Sequence, residues 1–340
     1  MVELSFRTLH EERVGSAWSS IYALGSPGWA HWYNERQPEE PVSLAASYRA
    51  LRSYMPGADR LVDDLVNEVS GDETVARFLT FWTPPRYLIG CSQAAIVDND
   101  GPLLIRNYDL DPALSEATLF QSAWLGRRVI GMVDAMSGLS DGMNEHGLAM
   151  SLAFGGRAVS GKGFGIPFIV RYVLETCRDV ADAVEALRGI PCHMSYNLTL
   201  IDRAGESCTV MLSPDRPLMV QKQAWSANQQ LGVEWLPYAA FSGTEARADH
   251  LESLLAHSPN GAEMEAAFLA PPLHRDDFVR KFVTVFTAAY RPSAGSIDLI
   301  WANGQRLSFG FDHTVPAPKA VQYPATSVGH HGTNHGIYLQ

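Results

Sequence analysis

Tyr87-Leu88-Ile89-Gly90-Cys91-Ser92-Gln93, followed by Arg106-Asn107-Tyr108-Asp109, is the stretch on which the reading of this chain turns. A thiol directly after a glycine, at the start of an apolar strand-like run, sets a nucleophile beside a peptide carbonyl that no Cβ shields. The Cys91 thiol can add to the Gly90 carbonyl. Hydrolysis of the resulting thioester would cut the chain and leave Cys91 as a new N-terminus with a free α-amine. An α-amine of pKa about 7.7 to 8.0 is matched to a thiol near 8.5, whereas a lysine near 10.4 would stay protonated. One residue then carries both nucleophile and base. Arg106 and Asp109 suit the task of holding that residue: a carboxylate accepts from the amine, and a guanidinium keeps its charge. Strand alternation places Arg106 and Tyr108 on one face and Asn107 and Asp109 on the other. Both charged groups therefore flank Cys91 only if a bulge or strand end re-aims one of them. The plain alternatives are a buried, inert strand cysteine and an arginine serving as a buried ion-pair partner.

Outward from this stretch the texture of the chain changes at Pro84-Pro85. Before it, residues 41–55, 58–69 and 72–82 carry apolar residues at helical spacing, with Asp72-Glu73 suited to a helix start. After it come short strand-like runs at 86–97, 102–107, 117–124, 127–134 and 147–154, then helices near 165–175 and 179–188. Strands near 195–202, 207–213 and 217–225 follow, then helices near 242–256 and 261–269 and strands near 281–290, 296–301 and 306–311. This order predicts an α+β fold of two antiparallel sheets with helices outside them. It divides the chain into a helical N-terminal segment, 1–90, a core, 91–325, and a flexible tail, 326–340.

The composition is that of a folded protein, 46% hydrophobic and 19% charged over 340 residues. A formal charge of -11 argues against nucleic acid or an anionic membrane as partner, since both need clustered Lys and Arg. Cys91, Cys177, Cys192 and Cys208 form no Cys-x-x-Cys pair and no metal-type spacing, which predicts reduced thiols, a cytoplasmic protein and no bound metal or cofactor. Asp98-Asn99-Asp100-Gly101 opens like a calcium loop, but Asp109 stands where the bidentate Glu is needed, so a hairpin turn is expected. Gly156 to Gly163 has the spacing of a phosphate loop without its Ser or Thr, and reads instead as a glycine-rich loop able to gate a site.

Several blocks in order resemble the autoproteolytic acyltransferase/hydrolase family typified by acyl-coenzyme A:6-aminopenicillanic acid acyltransferase, among the N-terminal nucleophile hydrolases. Gly90-Cys91-Ser92 resembles the family's cleavage site, Arg106-Asn107-Tyr108-Asp109 its Arg-Asn-x-Asp, and Asp141 to Ala149 its Asp-Gly-x-Asn-Glu-x-Gly-Leu segment. Tyr196-Asn197-Leu198-Thr199 with Asp202-Arg203-Ala204-Gly205 resembles a paired-strand segment, and Ser226-Ala227-Asn228-Gln229 stands where the family has Thr-Asn-His. The resemblance implies a four-layer αββα sandwich and self-cleavage between Gly90 and Cys91; the fragments are expected to stay associated, because separating them would expose the apolar faces they share. It also implies Asn228 as an oxyanion donor through its NH₂, and Asp109 as the group that orients the nucleophile. A late arginine is implied too, with Arg247, Arg280 and Arg291 all open as its counterpart.

The function expected is a cysteine amide hydrolase or acyltransferase acting through an acyl-enzyme on a small acyl amide or acyl thioester. The alternatives are an uncut thiol hydrolase using Cys91 with His146, and a non-catalytic binding protein on the same fold. Asn144 and Glu145 read as turn residues, and His193 as a packed histidine.

Overall fold

The computed structural model describes residues 1–38 and 40–324; the expected flexible tail, 326–340, lies outside the described residues. Helix starts follow the caps that the sequence offers. Asp72 accepts from Val75 N, Asp179 from Asp182 N, and Asn260 forms a reciprocal capping box with Glu263. The first 90 residues hold strand β1 (Val2–His10) and helices α1 (Ser16–Glu35), α2 (Leu44–Tyr54), α3 (Ala58–Glu68) and α4 (Glu73–Leu79).

Strands β2 (Gly90–Asp98), β3 (Gly101–Leu110), β4 (Thr118–Ser122), β5 (Val129–Asp134), β6 (Gly138–Asn144) and β7 (Ala149–Phe154) come next. Helices α5 (Ile166–Thr176) and α6 (Val180–Gly189) lead to β8 (Tyr196–Ile201), β9 (Ser207–Leu212), β10 (Met219–Gln221) and β11 (Trp225–Ser226). Helices α7 (Leu236–Ser242), α8 (Thr244–Leu255) and α9 (Gly261–Phe268) follow. The described chain closes with β12 (Asp276–Asp277), β13 (Phe282–Arg291), β14 (Ser296–Ile300), β15 (Arg306–Gly310) and β16 (Lys319–Tyr323).

The strands form two sheets. One has nine strands in the order β10-β9-β8-β7-β6-β5-β4-β1-β16; the other runs β11-β2-β3-β13-β14-β15, with β12 on β13. Pairing is antiparallel except between β1 and β4. Alternation along β2 and β3 separates two apolar clusters. Cys91, Ala95, Leu104 and Tyr108 face the nine-stranded sheet, packed with Leu152, Phe154 and Leu198. Ala94, Leu103 and Ile105 face Leu251 of α8 and Met264 and Phe268 of α9. Helices α5 and α6 cover the far face of the nine-stranded sheet. The result is an α+β sandwich of four layers, αββα, with Cys91 between the sheets.

The N-terminal segment carries its helices as expected, but it opens on a strand that the helical texture hid. β1 lies between β4 and β16 and gives β16 its partner in the sheet. Aromatic contacts add to this seam: Trp18 meets Trp124, and Phe81 stacks on Phe168 of α5 at 5.1 Å.

Candidate active site

Gly90 and Cys91 are the first residues of β2, with Gly90 opposite Asp109 and Cys91 opposite Tyr108 in a regular ladder with β3. That register puts Cys91, Gln93, Arg106 and Tyr108 on the face between the sheets, and Gly90, Ser92, Asn107 and Asp109 on the face toward α8 and α9. No bulge re-aims Arg106 or Asp109 across β3. They serve Cys91 from opposite faces.

From the inner face, Arg106 Nη2 donates to Cys91 Sγ at 3.0 Å and to Leu152 O at 2.9 Å. Its Nη1 is 3.2 Å from Asp141 Oδ2, and neither side chain has any exposure. Asp141 arrives there because β6 has Ser140 as an extra residue against β5, a bulge that turns the carboxylate inward. Ser140 Oγ and Tyr290 Oη both donate to it. Burial pushes the Asp141 carboxyl up from its ordinary value, opposed by Arg106 and these donors. Burial alone would pull Arg106 down, but Cys91 and Asp141 outweigh it and the guanidinium is held above its ordinary value. Arg106 is a buried ion-pair partner of Asp141 and at the same time a donor to the thiol.

From the outer face comes Arg247 of α8, which is 1% exposed. It donates to Cys91 O, to Ser92 Oγ at 2.9 Å and to Asn228 Oδ1 at 2.6 Å. Its Nη1 lies 3.8 Å from Asp109 Oδ2. Of the three late arginines open from the sequence, Arg247 is the one at Cys91; Arg280 pairs with Asp277 and Arg291 with Asp98. Asp109 accepts from Thr284 Oγ1 at 2.7 Å through Oδ1, and its buried Oδ2 has no hydrogen-bond donor among the described residues. In the intact chain Asp109 therefore reaches Cys91 through Arg247.

Asn228 lies just beyond β11, and the amide of Asn197 donates to Ala227 O at 3.1 Å and Gln229 O at 2.8 Å on either side of it. Asn228 Oδ1 accepts from Cys91 N at 3.1 Å, and its Nδ2 donates to Phe154 O at 3.0 Å. Two donors at one end and a carbonyl at the other fix the amide this way round. The oxygen of Asn228 meets the Cys91 nitrogen, and one hydrogen of the NH₂ remains beyond the bond to Phe154. Gln93 links the same parts, donating to Ser226 Oγ at 2.9 Å and accepting from Ser151 Oγ at 2.7 Å. The glycine-rich loop also belongs to this packing. A Cβ on Gly156 would strike Asn228 O, and Arg157 ties the loop to Asp215 at 2.8 Å.

Cys91 itself has no exposure, and burial pushes its thiol up to about 12, with Arg106 and Arg247 opposing and Asp109 and Asp141 adding to the rise. The residues before Gly90 are buried too: Leu88 and Ile89 have little exposure, and Tyr238 Oη of α7 donates to Ile89 O at 2.8 Å. His146 sits exposed in the β6–β7 turn. It lines an open cavity of about 500 Å³ with Arg178 and Arg203, and no hydrogen bond joins it to Cys91 among the described residues. The turn is held by Asn144, whose amide donates to Leu174 O and Cys177 O and accepts from His146 N and Leu148 N. His193 is packed, with Nδ1 2.6 Å from Gly161 O. No cluster of three or more His, Cys, Asp or Glu able to hold a metal occurs among the described residues, and none of their helices is long and apolar enough to cross a membrane.

The sequence profile of the family described as acyl-coenzyme A:6-aminopenicillanic acid acyl-transferase matches residues 97–306, more than half of the chain, beginning just beyond Cys91. Among solved structures, the chain is similar to a mutant of conjugated bile acid hydrolase from Clostridium perfringens, at 14% identity over 71% of this chain and 99% of that one, TM-score 0.41. It is similar to penicillin V acylase from Agrobacterium tumefaciens, at 14% identity over 65% and 86%, TM-score 0.41. It is also similar to the N-acylethanolamine-hydrolyzing acid amidase ortholog of Caenorhabditis elegans, at 16% identity over 60% and 93%, TM-score 0.43. No curated protein matches the chain.

Proposed function

The chain belongs to the acyl-coenzyme A:6-aminopenicillanic acid acyl-transferase family, of N-terminal nucleophile type, and on that premise we propose that it cuts itself between Gly90 and Cys91 and then uses Cys91 to carry acyl groups. The observation that carries this reading is the treatment of the Cys91 backbone. Its nitrogen is held by Asn228, its carbonyl by Arg247 and its sulfur by Arg106, from three separate elements. A structural cysteine needs its side chain packed. It does not need its nitrogen held by a side chain brought from far along the sequence.

In the intact chain the thiol adds to the Gly90 carbonyl carbon, the Gly90–Cys91 C–N bond breaks, and the thiol proton passes to the nitrogen. Water then cleaves the thioester and returns a proton to sulfur, leaving an α-amine at Cys91. That amine, of ordinary pKa about 7.7 to 8.0, replaces burial as the main influence on the thiol. Asp109 Oδ2, buried without a hydrogen-bond donor beside the scissile bond, is an acceptor suited to the new amine. Arg106 stabilises the thiolate from 3.0 Å, and Asp141 keeps the guanidinium charged and aimed.

In turnover the thiolate attacks the carbonyl of a small acyl amide or thioester. The remaining hydrogen of Asn228 Nδ2, with backbone N–H groups, stabilises the oxyanion, and the acyl-enzyme goes to water or an amine. No step requires His146, and its exposed place gives the uncut thiol hydrolase reading no support. The test is N-terminal sequencing of active protein. A large fragment beginning at Cys91 is expected, with Cys91→Ala remaining one inactive chain and Cys91→Ser cutting slowly. Active protein that still begins at Met1 throughout refutes the reading.

A further inference from the structure

The acyl group of the first reaction is the protein's own leader, so the wall around Gly90 bears on which acyl groups the mature site takes; this inference rests on the self-cleavage reading. In both reactions one sulfur attacks one carbonyl position. A substrate whose carbonyl takes the place of the Gly90 carbonyl sets its α-carbon where Gly90 Cα now lies. We propose that Phe282 of β13 selects acyl donors at that carbon: the site takes acyl groups with a methylene there and excludes those branched on the side an L side chain would occupy.

The geometry is direct. A Cβ added to Gly90 would run into Cζ of the Phe282 ring and come within 2.7 and 2.9 Å of its Cε1 and Cε2. Gly90 lies at the start of extended β2 and is not one of the glycines of positive φ, so room, not backbone conformation, is what forbids a side chain there. The ring is packed on both sides. Phe282 is 1% exposed and packs against Phe241 at 4.7 Å, and the Arg275 guanidinium lies 4.9 Å from its centroid. Arg275 is itself tied to Ser242 O at 2.6 Å and Phe241 O at 3.2 Å. Beyond the α-carbon, Tyr238 fixes Ile89 O while Leu88 and Ile89 lie in apolar surroundings, which suits an uncharged acyl chain.

The three ring atoms in the way are the far end of the side chain, which leucine lacks, so Phe282→Leu opens the space with a hydrophobic replacement. The experiment follows self-cleavage in the wild type, Gly90→Ala, Phe282→Leu and the double variant. Gly90→Ala should cut about 10- to 200-fold more slowly, the range a misplaced methylene costs in a close-fitting site. The double variant should return to within a few-fold of Phe282→Leu alone. A second measurement needs no variant: mature wild type should react with p-nitrophenyl hexanoate faster than with one enantiomer of p-nitrophenyl 2-methylhexanoate, by a similar factor. Gly90→Ala cutting at the wild-type rate, or a double variant as slow as Gly90→Ala while Phe282→Leu cuts freely, overturns the proposal. So do equal rates on the straight ester and both branched ones. A wild-type chain that stays whole removes the self-cleavage reading itself, a result distinct from these.

Discussion

Cys91 should be nearly inert to alkylation while the chain is whole and should become reactive when it is cut. In the intact protein burial raises its thiol from 9.0 to about 12. Reaction with iodoacetamide goes through the thiolate, and a rise of this size lowers the thiolate fraction about 10³-fold at any pH below the ordinary thiol range. The absence of any exposed surface lowers it further. After the cut, the amine beside the sulfur titrates at about 7.7 to 8.0 and takes the thiol proton near neutrality. The assay is a pulse of iodoacetamide between pH 6 and 10 on protein sampled early in processing, read by intact mass so that whole and cut species report separately in one tube. Whole protein should gain label at least about 10³-fold more slowly than a free cysteine peptide at pH 7, with a rate that climbs toward high pH. Cut protein should label quickly, with a rate that levels off near pH 8.

The other cysteines serve as internal controls. Cys192 is pushed up to about 12 and Cys177 and Cys208 to about 11, all by burial first. They should stay silent in both species. Labelling of Cys91 in whole protein at the peptide's rate would refute the reasoning. Simultaneous gain of label at Cys192 on cutting would refute local activation, because it would mean that the whole structure had loosened.

Three further outcomes follow from the same geometry. Asn228→Ala should lower kcat by about 10² to 10³ in protein that still folds, as for loss of an oxyanion donor, and unchanged turnover would remove Asn228 from the site. In a Cys91→Ala background, where the chain stays whole, Asp141→Asn should cost about 3 to 5 kcal/mol by leaving Arg106 uncompensated in the interior. Asp109→Asn should cost less, because Arg247 keeps Cys91 O, Ser92, Asn228 and Ser242 as acceptors; equal losses on thermal unfolding would contradict this ranking. Because the buried thiols titrate higher in the folded than in the unfolded chain, the folded state holds more protons between about 9 and about 11 to 12. Stability should therefore be fully present below pH 9 and fall above it. A denaturation midpoint that stays flat from pH 8 to 10.5 would count against that.

The sequence made legible the sandwich and the place of Cys91 at a strand start, because both depend on local pattern. Alternation correctly kept Arg106 and Asp109 on opposite faces of β3. What alternation could not supply was the bridge: Arg247 is brought to Cys91 by the packing of α8 on the sheet, and spacing along the chain did not separate it from Arg280 or Arg291. Asp141 was hidden for a different reason. Residues 138–144, with two glycines, an aspartate and an asparagine, carry turn chemistry, yet they form β6, buried throughout. Their polar groups serve the site's interior, where Asp141 pairs with Arg106. β1 has the alternation of a strand, but its partners β4 and β16 lie far along the chain, and no hairpin signal points to either. At Gly90 the sequence shows a missing Cβ but not its neighbour: the space beside it is already filled by Phe282.

These placements bear on what a cut at Gly90 can change. The N-terminal segment is tied into the core at its start, by β1 within the nine-stranded sheet, and at its end, by the residues that run into Cys91, with the Trp18–Trp124 and Phe81–Phe168 contacts between them. Severing the second leaves the first, with its ladder hydrogen bonds to both β4 and β16 and the contact of Phe6 with Trp301 at 4.8 Å. Separating the fragments would leave β4 and β16 as unpaired edges and expose Phe6, which has no exposure in the intact fold. A cut there would free only the stretch after Thr83, whose N–H donates to Gly163 O at 2.7 Å, up to Gly90. On the proposed mechanism its last residue is the first acyl group that the thiol takes. On that mechanism cutting the chain and making the base are one event: the nitrogen of the broken bond becomes the amine, while Arg106, Arg247 and Asn228 lie outside the freed stretch.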